Sequence, residues 1–103
     1  MQLVFESGKI INDARPSDIR KNLEGEEFTI LISDEDEDTY IQCAQGNNDA
    51  GYYVIEYQDG STDHHYIATD TEIPLELVLP TFYKYLRGDE SWFTDWEWEH
   101  YPM

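Results

Sequence analysis

Tyr52-Tyr53-Val54-Ile55-Glu56-Tyr57-Gln58-Asp59-Gly60-Ser61-Thr62-Asp63-His64-His65-Tyr66-Ile67-Ala68 is the stretch on which the fold turns. Tyr52 to Tyr57 is rich in aromatic and β-branched residues and reads as a strand. Asp59-Gly60 reads as the turn, and Asp63 to Ala68 as the strand that returns. An Asp-Gly pair supplies the positive φ that a tight antiparallel connection demands. Two registers are open. A two-residue loop places Val54 opposite His65 and Glu56 opposite Asp63, so that two carboxylates face each other across the ladder. A three-residue loop with Gly60 in a bulge places Ile55 opposite Asp63 instead.

Working back from this hairpin, Gly46-Asn47-Asn48-Asp49 is turn chemistry. Before it, Thr39 to Gln45 alternates, with Thr39, Ile41 and Cys43 on one face and Tyr40, Gln42 and Ala44 on the other. Phe28-Thr29-Ile30-Leu31-Ile32 is a further strand, with Phe28, Ile30 and Ile32 on one face. Gln2 to Phe5 is a short strand interrupted by Gly8. Pro16-Ser17 is a helix start, with Asp18 in the first turn at the positive end of the dipole. Ile19 and Leu23 share a face of that helix, and Gly25 stops it.

Working forward, Ile73-Pro74 is expected to open a second helix. Leu75, Val78, Leu79, Phe82 and Leu86 form its apolar stripe, and Gly88 closes it. Pro80 inside the stripe removes a hydrogen bond and predicts a kink or a later start. The tail from Ser91 to Glu99 alternates, so as a strand it would place Trp92, Trp96 and Trp98 on one face. The order β-α-β-β-β-β-α-β predicts an α+β fold: a mainly antiparallel sheet of about five to six strands with two helices packed on one face, as a single domain over residues 1–103.

Composition narrows the function. Twenty-three Asp and Glu stand against six Lys and Arg, a formal net charge of −17. A nucleic-acid binder needs a basic footprint, which is lacking, and an anionic membrane surface repels such a chain. A basic protein or a cation is the electrostatically sensible ligand. The aromatic share of 15% argues against disorder. Cys43 is the only cysteine, so no intrachain disulfide forms, which fits a cytoplasmic protein. No signal peptide or membrane span is read in the sequence.

The candidate site residues follow from charge and aromatics. Asp34-Glu35-Asp36-Glu37-Asp38 is the sharpest local feature. It begins like a calcium loop, yet Thr39 stands where Gly belongs and Gln45 where the bidentate Glu belongs, so no metal is expected. It is either a solvated loop or a docking patch for a basic partner, raising the association rate more than the affinity. Trp92 and Trp96, framed by Asp95, Glu97 and Glu99, suit a protein interface, or else they cover the sheet as core. Asp63-His64-His65 lacks zinc spacing, and adjacent strand residues point apart. Cys43 lies among apolar neighbours and not in a basic pocket that would activate it. No nucleophile elbow, phosphate loop or dinucleotide fingerprint is present, so neither an enzyme nor a cofactor is expected.

The order Gly51-Tyr52-Tyr53-Val54-Ile55-Glu56-Tyr57-Gln58-Asp59-Gly60, His65-Tyr66, Phe82, Tyr85-Leu86, Gly88-Asp89, Trp92 and Trp96-Glu97-Trp98 resembles the small Imm1-type immunity proteins of bacterial polymorphic-toxin systems. The resemblance covers about half the chain. It implies an α+β fold and a cytosolic inhibitor that binds and blocks a toxin domain, often a basic nuclease, and it carries over no catalytic residue. Two alternatives remain: an acidic surface that mimics DNA, with carboxylates in two rows at a phosphate-like pitch, and a small enzyme using Asp63, His65 or a neighbouring carboxylate.

Overall fold

The computed structural model describes residues 1–46 and 51–102. The expected turn residues Asn47, Asn48 and Asp49 lie outside them. The strands are β1 (Gln2–Phe5), β2 (Ile10–Ile11), β3 (Phe28–Ile32), β4 (Tyr40–Gln45), β5 (Tyr52–Gln58), β6 (His65–Ala68), β7 (Ile73–Pro74) and β8 (Trp98–His100). They form one antiparallel sheet in the order β2-β1-β3-β4-β5-β6-β8, with β7 pairing the start of β5. The helices are α1 (Pro16–Asn22), α2 (Leu75–Leu86) and the single turn α3 (Ser91–Thr94). The α+β fold is as expected, but the sheet is larger, because the two-residue strands β2 and β7 join it.

Alternation along the strands builds the core. Leu3, Leu31, Ile41 and Tyr57 form one row across the sheet, and Phe5, Thr29, Cys43 and Ile55 the next. All of these residues are buried, and Ile19, Leu23, Val78 and Phe82 from the helices close over them. Each fully buried aliphatic side chain stabilises the fold by roughly 1.5–3 kcal/mol. On β3, Phe28, Ile30 and Ile32 do share a face, but it is the half-buried outer one; Thr29 and Leu31 go inward. Burial pushes the Cys43 thiol far above its ordinary value, so Cys43 packs as an inert apolar group.

Local chemistry explains the ends of the helices. Pro16 occupies the first turn of α1, and the Asp18 carboxylate accepts a hydrogen bond from the Arg15 backbone N–H (2.9 Å). At the end of α2, Gly88 N–H donates to Tyr85 O (3.2 Å) and Asp89 N–H to Lys84 O (2.8 Å), the paired bonds of a Schellman ending. Gly88 sits at φ 75°, which a residue with a Cβ rarely adopts.

Three expectations are corrected. Neither hairpin register occurs: Glu56 pairs with Ile67, Tyr57 with Tyr66 and Gln58 with His65, leaving the whole of 59–64 as the connection. The side chains of Gln58 and His65 bond at 3.1 Å and close the ladder there. A 3₁₀ turn (Thr62–His64) and Gly60 at φ 80° then carry the chain round, which keeps Asp63 away from Glu56. Ile73-Pro74 leads into the helix, with Pro74 as its N-cap, but itself lies in a two-residue strand. It pairs with Tyr53 and Tyr52, and α2 begins at Leu75 and runs on through the exposed Pro80. The tail is not one strand. The Asp89 carboxylate accepts from both the Ser91 N–H (3.0 Å) and the Ser91 hydroxyl (2.8 Å), which starts the helical turn α3 and confines β8 to three residues.

Candidate functional site: an acidic aromatic cleft

Tyr57 is the last inward-facing residue of β5, where the sheet runs out from under the aliphatic core. It stacks on Tyr66 across the ladder (centroids 4.9 Å, 14° between planes) and meets Trp98 edge-on at 4.7 Å. The turn α3 delivers Trp92 and Phe93 against it at 5.0 and 5.7 Å, both steeply inclined, while α2 delivers Tyr85 against Trp92 at 5.1 Å. Trp98 is fixed by its indole N–H, which donates to Phe93 O (2.7 Å). Aromatic pairs of this kind contribute about 0.5–1.5 kcal/mol each beyond the area they bury.

This cluster does not seal. A cleft of about 460 Å³ lies between Tyr85, Trp92 and Phe93 on one side and Glu35 and Thr39 on the other, with Glu90 and Thr94 at its edge. A second space of about 220 Å³ shares Thr39, Tyr85, Trp92 and Phe93 with it and reaches Tyr57, Gln58 and Asp59. The two lining sets hold three carboxylates and no lysine, arginine or histidine. Burial, with the charges of Asp59 and Glu35 next, pushes the Tyr85 hydroxyl up to about 12. The Tyr57 hydroxyl is also pushed up to about 12, by burial first and then by Tyr66 and Asp59. Burial is the larger cause in both, and the three carboxylates, with no cation beside them, add a negative potential at the rings.

The sequence-derived site residues divide. Glu35 and Trp92, far apart in the chain, line the same cleft. Trp96 does not. Its indole N–H donates to the Thr81 hydroxyl (2.9 Å), whose own O–H donates to Leu77 O (3.0 Å), so it is fastened to α2 against the core. Asp34 lies 2.9 Å from the amino group of Met1. Asp36 turns back on its own loop, accepting from the Asp38 N–H (2.9 Å). Glu37 and Asp38 are exposed. The loop is anchored by Gln58, whose side-chain amide donates to Asp38 O (3.1 Å) while its oxygen accepts from the Tyr40 hydroxyl (3.2 Å).

His65 is fully buried, and its ring nitrogens lie 3.1 Å from Gln58 Oε1 and 2.9 Å from Glu56 Oε1. His64 is exposed in the connecting turn, and the Asp63 carbonyl accepts from His100. Asp63, His64 and His65 are therefore engaged separately. Among the described residues no three His, Cys, Asp or Glu side chains are grouped to hold a metal ion. No described helix is long and apolar enough to cross a membrane.

Sequence reasoning singled out Glu35 and Trp92 but not Tyr57, Tyr85, Asp59 or Glu90 as their companions. One signal was available. Tyr57 continues the inward series Tyr53, Ile55, Tyr57, and an inward tyrosine at a strand end marks a place where the core must meet water.

No protein-family model, curated protein or solved structure matches the chain.

Proposed function

We propose that this chain is a small anionic binding protein that blocks a basic protein partner by occlusion, in the manner of an immunity protein that covers a toxin domain in the cytosol. It performs no bond-making step. One observation carries the reading: Glu35 of the acidic loop and Trp92 of the aromatic turn line a single cleft that holds no cationic side chain. Charge on the scale of −17 draws a cationic surface in from solution, and desolvated aromatic rings hold it once docked. The carboxylates of 34–38 supply the approach and Trp92 the anchor. Trp96 belongs to the scaffold.

The test is a neutralisation and co-purification assay with the toxin domain encoded beside this gene. Occlusion predicts a stoichiometric complex that loses affinity as salt rises. Failure to bind or silence any such neighbouring domain overturns the reading.

A further inference from the structure

We propose that the cleft is a receptor for one arginine side chain of the basic partner, its guanidinium seated against Tyr85, Trp92 and Phe93 and its charge met by Glu35 and Glu90. The inference rests on the binding reading above and names what the cleft takes.

The ring geometry is the first support. Trp92 is inclined 77° to Tyr57, 64° to Tyr85 and 86° to Phe93, with centroids 5.0, 5.1 and 5.7 Å away. Rings set at such angles leave an angular recess beside Trp92, while Tyr57 and Phe93 each also carry a parallel partner, Tyr66 at 14° and Trp98 at 16°. A cation is drawn to the negative face of an aromatic ring, most strongly to Trp, and more strongly where water is displaced. The carboxylates are the second support. Glu35, Glu90 and Asp59 stand exposed at the rim of this space, where they attract a cation and offer a neutral apolar guest nothing.

Guanidinium suits the recess better than an ammonium. It is planar and weakly hydrated, it stacks on rings, and it forks to carboxylates, whereas a lysine ammonium is a compact and strongly hydrated point charge. The protein's own cations nearby are occupied elsewhere: Lys84 pairs with Asp95, and Arg87 with Asp89 at 3.2 Å. The receptor is thus left for a cation from outside the chain.

The experiment follows the Trp92 and Trp98 indole N–H signals by NMR, the Trp98 signal alone in variants of Trp92, while the whole protein is titrated with N-acetyl-arginine amide, its citrulline and lysine counterparts, and tetramethylammonium. Arginine is expected to shift the signal saturably and to bind at least about tenfold more tightly than the isosteric, neutral citrulline. Glu35→Gln with Glu90→Gln, both on exposed positions, should weaken arginine about tenfold, and Trp92→Leu should remove its binding. The inference is overturned if citrulline binds as well as arginine, if lysine or tetramethylammonium binds more tightly, or if the double variant binds arginine unchanged. The two proposals fail separately. Neutralisation retained by Trp92→Leu, with no arginine binding to the parent protein, removes the receptor and keeps the occlusion reading. Saturable arginine binding with no toxin neutralised removes the occlusion reading and keeps the receptor.

Discussion

The two ends of the core are built from different materials. Under α1 and the first part of α2 the filling is mainly aliphatic, with Leu3, Ile19, Leu23, Leu31, Ile41, Ile55 and Val78 all at 0% exposure and Phe5 and Tyr53 buried with them. At the other end, beneath the C-terminal half of α2 and α3, it is aromatic, and the rings of Tyr57, Tyr85, Trp92 and Phe93 stop short of closing. Branched aliphatics interdigitate, since their value lies in complete burial, and the space of about 400 Å³ at this end lies outside the fully buried residues, between Arg20 and Glu24 on one side and α2 on the other. Rigid rings meeting edge to face leave angular gaps, and each keeps a polarised face to offer. The aliphatic end stabilises the fold, and the aromatic end can afford to be a surface.

That contrast is most directly broken by substitution. Phe82 lies at 0% exposure in α2. Phe82→Ala should lower folding stability by about 3–5 kcal/mol in urea denaturation, the usual result of a sealed cavity. A loss under about 1 kcal/mol would show that this part of the core collapses freely. The two tryptophans sharpen the contrast next. Trp96→Phe leaves the Thr81 hydroxyl without its donor and should cost about 1 kcal/mol of stability, with arginine binding by NMR unchanged. Trp92→Phe should do the reverse, weakening binding more than it unfolds. Equal effects of both on stability and binding would erase the distinction.

Alkali provides a subtler probe. The ordinary tyrosine value is 10, and in the fold Tyr57 and Tyr85 are raised to about 12. The folded state therefore holds these protons more tightly than the unfolded chain. Their contribution is fully present below pH 10 and is lost as pH rises towards 12. Denaturation midpoints should fall across that window, and less so in Tyr57→Phe. The smallest effect is on the acid side. Hydrogen bonds from the Ser91 N–H and hydroxyl, and then from Arg87, hold Asp89 at about 2, below its ordinary 3.8. Its contribution is present above 3.8 and fades as pH falls towards 2. Asp89→Ala should fray α3 and flatten that acid limb, seen in the Trp92 signal before global unfolding.

The scaffold was largely legible in the sequence. Phe28–Ile32 and the start of α1 at Pro16 fall where expected, because alternation and proline act locally. The strands β2 and β7 escaped, since two residues cannot show a period. The hairpin register was not legible either. It depends on a side-chain bond between Gln58 and His65 that only the folded ladder creates. Trp92 and Trp96 looked equivalent because strand parity places them together. One carboxylate, Asp89, starts a helical turn between α2 and β8 and sends the two rings to different places. The cleft and the space beside it join residues 35, 39, 57–59, 85, 90 and 92–94, which no local pattern connects.

Gln58 moors the acidic loop with an amide dipole, where a lysine would have served mechanically. A full positive charge at that spot would have cancelled part of the field it was positioning. Because this tether is neutral, it adds no positive charge beyond the Met1 amino group that already meets Asp34, and evolution could tighten it without further blunting the lure.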